Sequence, residues 1–239
     1  AKDVFTFLDS VRHPEGGFAN GAPTDEPRAQ NPHMHLFEAL LNFEPVEGFP
    51  RAPSEREALR QLFRDTFWSR EENALLEFFT EDLKPDPDKG CEVMPGHMPE
   101  WVWLLDRAGG EDASFLETML RRGRELGMAD GLPFLATTGD LRTNIRGSGY
   151  RLWAQCEHVR GCLVAARRLH DEQWLDEAAH ILQAMRNHFF GRGVVDGGWH
   201  DALDEKGRVL SDRMPTSTLY HVVMLAQEVA ATEHGHHRV

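Results

Sequence analysis

Two apolar stripes at helical spacing, Leu152–Leu169 and Glu172–Phe190, follow one another after a break of only one or two residues. Apolar positions recurring at every third and fourth residue over that length specify amphipathic helices rather than strands. Two long helices so close in sequence fold back on each other as an antiparallel hairpin. The same periodicity recurs over Lys2–Val11, Pro32–Phe43, Ser54–Phe67, Met98–Arg107, Ala113–Leu126 and Ser217–Ala231,. Short extended pieces separate the helices. Ala74–Thr80 is rich in Leu and Phe, and Gly197–Leu210 reads as a β-hairpin turning at Asp204–Gly207,. Residues 85–90 form a solvated loop, and none of the breaks resembles a domain linker. The pattern predicts an all-α fold: a helical (α/α) toroid with short β-hairpins between helix pairs, as a single domain over residues 1–239. Eight helices make about four pairs.

The 239 residues supply ample material for a core, with 41% hydrophobic residues, six Trp and fourteen Phe,. A formal charge of −13 argues against a nucleic-acid binder, which needs a basic face,. Three cysteines (Cys91, Cys156, Cys162) cannot all pair within one chain and lack metal-type spacing, so reduced thiols and a cytoplasmic location are expected,. No stretch is long enough to span a membrane, and no signal peptide is visible. The chain opens at Ala1, inside a helix, which points to a fragment of a longer protein. The tail Glu233-His234-Gly235-His236-His237 reads as a frayed terminus rather than a metal site,.

Chemistry concentrates at helix starts. In Pro95-Gly96-His97-Met98-Pro99-Glu100-Trp101, His97 and Glu100 stand three residues apart just after a Pro-Gly turn, on one face of a first helical turn,. A helix start favours the uncharged imidazole that a general base requires. The alternative is a capping histidine beside an unrelated glutamate. His221, after the hydroxyls of Thr216 and Ser217, is the complementary candidate for proton exchange across a substrate, or else a buried histidine bonded to a carbonyl. Asn31 reads as an N-cap with Pro32 at the first helical position. His35 follows in the first turn, with His33 on another face. Trp153 could stack on the apolar face of a sugar ring and Glu157 accept from its hydroxyls. Equally, Trp153 could be core and Glu157 a surface residue. A metal site has little support, because His33 and His35 are two apart and diverge on a helix. No phosphate loop or serine elbow is present.

Taken together, Gln30-Asn31-Pro32-His33-Met34-His35-Leu36-Phe37-Glu38-Ala39, the Pro95–Trp101 stretch, Leu152-Trp153-Ala154-Gln155-Cys156-Glu157 and Tyr220-His221 occur in the order seen in the N-acylglucosamine 2-epimerase superfamily. The chain resembles its mannose isomerases, sulfoquinovose isomerase and cellobiose 2-epimerases in four motifs in register. The resemblance implies an (α/α)6 barrel, incomplete here because eight helices are too few for twelve. It implies His97 and His221 as the acid/base pair, with Asn31, His35, Glu100, Trp153 and Glu157 binding or orienting the sugar. It further implies cofactor-free, metal-free chemistry on a monosaccharide: C2 proton abstraction and an enediol intermediate. Disaccharide epimerases of the family carry a tryptophan shortly before the last histidine. None occurs in Met214–Leu219, which weakens the oligosaccharide reading and favours a monosaccharide isomerase. The first expectation is a mannose-type aldose–ketose isomerase, with an N-acylhexosamine 2-epimerase or a non-catalytic remnant of the fold as alternatives. The absent N-terminal portion is where the family draws a substrate-binding arginine and an aromatic residue. A chain complete as it stands would expose apolar helix faces, self-associate as a homo-oligomer or need a complementary piece, and turn over little.

Overall fold

A computed structural model describes residues 2–19, 26–43, 50–128, 131–191, 193–211 and 213–233. The histidines of the tail lie outside the described residues. The chain divides into two compact units, Ala1–Val93 and Met94–Val239.

The first unit holds α1 (Lys2–Ser10), α2 (Asn31–Phe43) and α3 (Ala52–Leu62), with two short strand pairs. The helix expected over Ser54–Phe67 is α3 continued by a π-helical turn, Phe63–Phe67. β1 (Arg28–Ala29) pairs antiparallel with β4 (Phe78–Phe79), and β2 (Trp68–Ser69) with β3 (Ala74–Leu75). The extended reading of 74–80 is thereby two short strands rather than one. Met34, Phe37, Leu40, Leu59, Phe63, Phe67, Leu75 and Phe79 form its buried core. Arg51 ties α1 to α3 by donating to Asp9 and Glu55.

His33 is buried in this unit against the rings of Phe18 and Phe67. Its Nδ1 lies 2.9 Å from the Ala29 carbonyl, and its Nε2 accepts the Phe18 amide at 3.0 Å. One nitrogen donating and the other accepting is the arrangement of a neutral imidazole. Burial, chiefly, pushes its pKa from 6.5 down to about 4,.

The second unit is built around α6 (Leu152–Leu169), which packs against α4 (His97–Ala108), α5 (Ala113–Gly127), α7 (Gln173–His188) and α8 (Thr216–Glu233). Every residue of α6 from Ala154 to Ala166 is buried, polar ones included. The hairpin expected from the sequence is present. α6 ends on His170, whose left-handed backbone (φ 53°) turns the chain, and α7 begins three residues later,. Two glycines permit the close approach of α4 to α6. A Cβ at Gly96 would sit 2.6 Å from that of Ala154, and one at Gly161 would sit 2.7 Å from that of Pro99.

The turn at Asp204–Gly207 forms as expected, with Leu203 bridging Val209. Beyond that hairpin, β6 (Ala202–Leu203) pairs with β5 (Tyr150–Arg151), immediately before α6. Val4 and Phe7 of α1 and Leu219 and Val223 of α8 are exposed. No helix among the described residues is long and apolar enough to cross a membrane.

His33 carries a pH signature. Its folded pKa is depressed, so its stabilising contribution is whole above the unfolded value near 6.5 and is lost as pH falls towards about 4,. Denaturant unfolding at pH 7 and pH 4.5 should show a loss of about 2 kcal/mol from this group. A His33→Gln variant, less stable at pH 7, should lack that increment. An unchanged pH dependence in the variant would contradict the assignment.

Candidate functional site

Three helix-borne segments of the second unit converge. The Pro95-Gly96 turn launches α4: the Met94 carbonyl accepts the His97 amide at 2.9 Å, and Pro99 falls in the first turn, where a missing N–H costs nothing,. His97 and Glu100 thus leave one helical turn together, and both are buried.

The starts of α6 and α8 are held by one carboxylate. Asp201 receives Arg151 at 2.8 Å and the Thr218 hydroxyl at 2.6 Å, while its own carbonyl accepts the Leu152 amide. Asp201 therefore fixes where Trp153 and Glu157 stand relative to His221. Sequence reasoning passed over it as part of a hairpin.

Trp153 links the two histidines. Its ring centroid lies 5.0 Å from that of His97 and 5.7 Å from that of His221. The imidazoles of α4 and α8 are therefore no further apart than the sum of these spans. Trp153 is half-buried, unlike the fully enclosed Trp101, so the indole is a partly open wall rather than sealed core. The Tyr220 ring stacks at 3.8 Å from that of His221, and its hydroxyl donates to Glu100 at 3.3 Å.

Behind His221 stands a line of charge. Glu157 Oε1 lies 2.7 Å from His221 Nδ1, and Arg160 Nη1 donates to both oxygens of Glu157 at 2.6 Å. Glu157 and Arg160 are wholly shielded from water. Burial opposes ionisation of Glu157, but the Arg160 guanidinium and the His221 ring outweigh it and hold the carboxyl below its ordinary pKa,. An ionised carboxylate only accepts, so Nδ1 of His221 carries the proton. Neither oxygen of Glu157 is turned to solvent, which favours a role in orienting His221 over direct contact with a sugar.

Arg160 was missed in the sequence. The available signal was a cation three residues after Glu157 on a helix too apolar to leave a charge unpaired. The remaining candidates, Asn31 and His35, belong to the first unit. Asn31 is the first residue of α2, but the cap is made by the Gln30 carbonyl, which accepts the His33 and Met34 amides. The buried Oδ1 of Asn31 has no hydrogen-bond partner among the described residues. His35 is half-buried, 3.7 Å from Glu38.

Two groupings in this unit have metal-ligand chemistry: Glu100, Glu157 and His221, and His158, Cys162 and Glu177. In each a guanidinium already pairs with one carboxylate, Arg160 with Glu157 and Arg124 with Glu177. Burial raises the Cys156 and Cys162 thiols well above their ordinary pKa, as expected for inert core cysteines,.

Residues 1–225 match the family model described as N-acylglucosamine 2-epimerase. The chain belongs to that family. Its members isomerise or epimerise sugars, and membership agrees with the resemblance stated from the sequence. A mannose-6-phosphate isomerase from Rhizobium meliloti is 33% identical over 234 residues, covering 91% of this chain and 59% of the relative. Among solved structures, a D-mannose isomerase aligns with a TM-score of 0.79 at 19% identity, covering 97% of this chain and 65% of that one. A cellobiose 2-epimerase from Bacillus thermoamylovorans aligns with a TM-score of 0.78 at 18% identity, covering 95% and 64%. These likenesses show the helical-toroid fold of the family's enzymes. The chain spans about three-fifths to two-thirds of the length of these relatives.

The close seating of α4 on α6 can be tested at Gly96. Its backbone (φ −66°) would accept any residue, so the obstacle to a side chain is steric contact with Trp153 and Ala154. Gly96→Ala should destabilise the protein by about 1–3 kcal/mol through overpacking. Chemical denaturation of the variant provides the check, and wild-type stability would show that the two helices are not pressed together there.

Proposed function

We propose that the protein interconverts an aldose and a ketose of the mannose type, with His97 and His221 moving the proton at C2. The observation that supports this reading is the pair of imidazoles, from α4 and α8, both in ring contact with the partly open indole of Trp153. An indole face suits the C–H face of a sugar. With Nδ1 of His221 committed to Glu157, proton transfer falls to Nε2,.

The chemistry follows from an open-chain aldose. One imidazole takes the proton from C2, the electron pair forms a C1–C2 double bond, and the carbonyl oxygen gains a proton to give an enediol. The O2 hydroxyl then releases its proton as the C2 carbonyl forms and C1 is protonated, giving the ketose. Imidazoles suit both directions because each can donate or accept near neutral pH. Glu100, with the Tyr220 hydroxyl beside it, is the polar group offered to sugar hydroxyls. Asn31 and His35 are assigned to substrate binding by resemblance alone. Arg160 and Arg151 are engaged by Glu157 and Asp201, which favours an unphosphorylated sugar.

Returning the proton to the other face of C2 would instead make a 2-epimerase, the activity in the family's name. The product separates the two. Incubation with mannose in deuterated water should yield fructose and deuterium at C2 of recovered mannose. N-acetylmannosamine converted to its epimer, with no fructose from mannose, would establish the epimerase instead. His97→Gln and His221→Gln should each lower C2 exchange about 100-fold or more with an unchanged circular dichroism spectrum. Near-normal exchange in either variant would contradict the pair. A chelator should leave the rate unaltered, and loss restored by a defined metal would contradict the metal-free reading.

A further inference from the structure

We propose that Arg160 is a positioning residue of the site, holding Glu157 as the carboxylate partner of His221 Nδ1 so that proton transfer takes place at Nε2. This inference rests on the isomerase reading above for its consequence in turnover, but not for its geometry.

Three observations carry it. Arg160 reaches both oxygens of Glu157 through one nitrogen, at 2.6 Å each, so it constrains the whole carboxylate and not merely one atom. Its guanidinium also lies flat enough against Trp103 to bring the central carbon 3.8 Å from that ring's centroid. Trp103 is in turn tied through Nε1 to Glu228 of α8, the helix that carries His221. The cation is thus clamped between α4 and α6, and its carboxylate partner touches the ring on α8. A planar, permanently charged group suits such a place, where a flexible ammonium would not.

The groups that face the Glu157–His221 pair are few in kind. Glu100 comes from α4, with His97 on the Trp153 ring that also meets His221; Tyr220 comes from α8, and Cys156 and Arg160 from α6 itself. Glu177 of α7 and Arg124 of α5 pair with each other, and Glu177 also meets His158. Among the described residues facing the pair, only Arg160 bears a fixed positive charge. Its removal therefore makes the Glu157–His221 pair hold a proton more tightly, and at neutral pH that proton is taken by the carboxylate or by Nε2. Either outcome removes the base.

The test uses the full chain with Arg160→Met, and Arg160→Gln where the methionine variant does not fold, since glutamine keeps amide donors without charge. Nitrogen-15 NMR of the histidine rings needs no substrate. The wild type should show His221 protonated at Nδ1 and bare at Nε2 at pH 7, and the variants should show it doubly protonated or with the tautomer altered. In C2 exchange, the acid limb of the pH profile should move up by about one unit or more, a tenfold change in the proton equilibrium. Arg160→Lys should move it less. A folded variant with the wild-type ring pattern and an unmoved acid limb would overturn the proposal. Absence of C2 exchange in the wild type would sink the isomerase reading instead. The NMR arm would then decide alone on Arg160, for or against.

Discussion

A carboxylate and a guanidinium face each other in the dry interior of α6, and the catalytic reading depends on that pair. Moving either charge out of water is costly, and the attraction between them repays it only when geometry is good and the remaining hydrogen bonds are made. An apolar pair of similar volume would pack there at least as well. What the charges supply is direction. Glu157, held from behind by Arg160, presents an oxygen to Nδ1 of His221 and sets the tautomer and tilt of that ring,.

Around this pair the helices are located by a few contacts that are not themselves chemical. Gly96 and Gly161 remove the side chains that would keep α4 from α6, which brings His97 against Trp153. Asp201 joins the first turn of α6 to that of α8. The family's enzymes act on sugars, and under the proposed reading the two imidazoles, the indole wall and the ionised carboxylate are what a C2 proton transfer asks for. The site is built from stiff elements, so small errors in its supports should be felt at the imidazoles.

The helices were legible in the sequence because their apolar stripes are long, and helix α6 has the expected boundaries. The proton-transfer candidates were legible because His97, Trp153, Glu157 and Tyr220-His221 occur at helix starts in a recognisable order. Other features were not. The π-helical turn that ends α3 keeps an apolar pattern close to the helical one, so Phe63–Phe67 read as more of the same helix,. The pairing of Tyr150–Arg151 with Ala202–Leu203 joins segments about fifty residues apart through two-residue strands, too short to leave a pattern. Glu157 read as a residue that binds or orients the sugar; spacing gives a helix face but not the neighbours on it, which are His221 and Arg160. Arg160 was passed over for the same reason, although its place three residues after Glu157 was a usable signal. Asn31 read as a cap from its residue type, whereas a backbone carbonyl does that work.

The central claim is that the imidazoles of His97 and His221 address the same carbon. A crystal structure with a linear hexitol, an unreactive mimic of the opened sugar, measures this directly. The account places C2 of the hexitol at about 3–3.5 Å from a ring nitrogen of one histidine, with the other ring within reach of C1 or C2, and the chain of carbons along Trp153. A hexitol bound elsewhere, or bound with C2 remote from both rings, would contradict it.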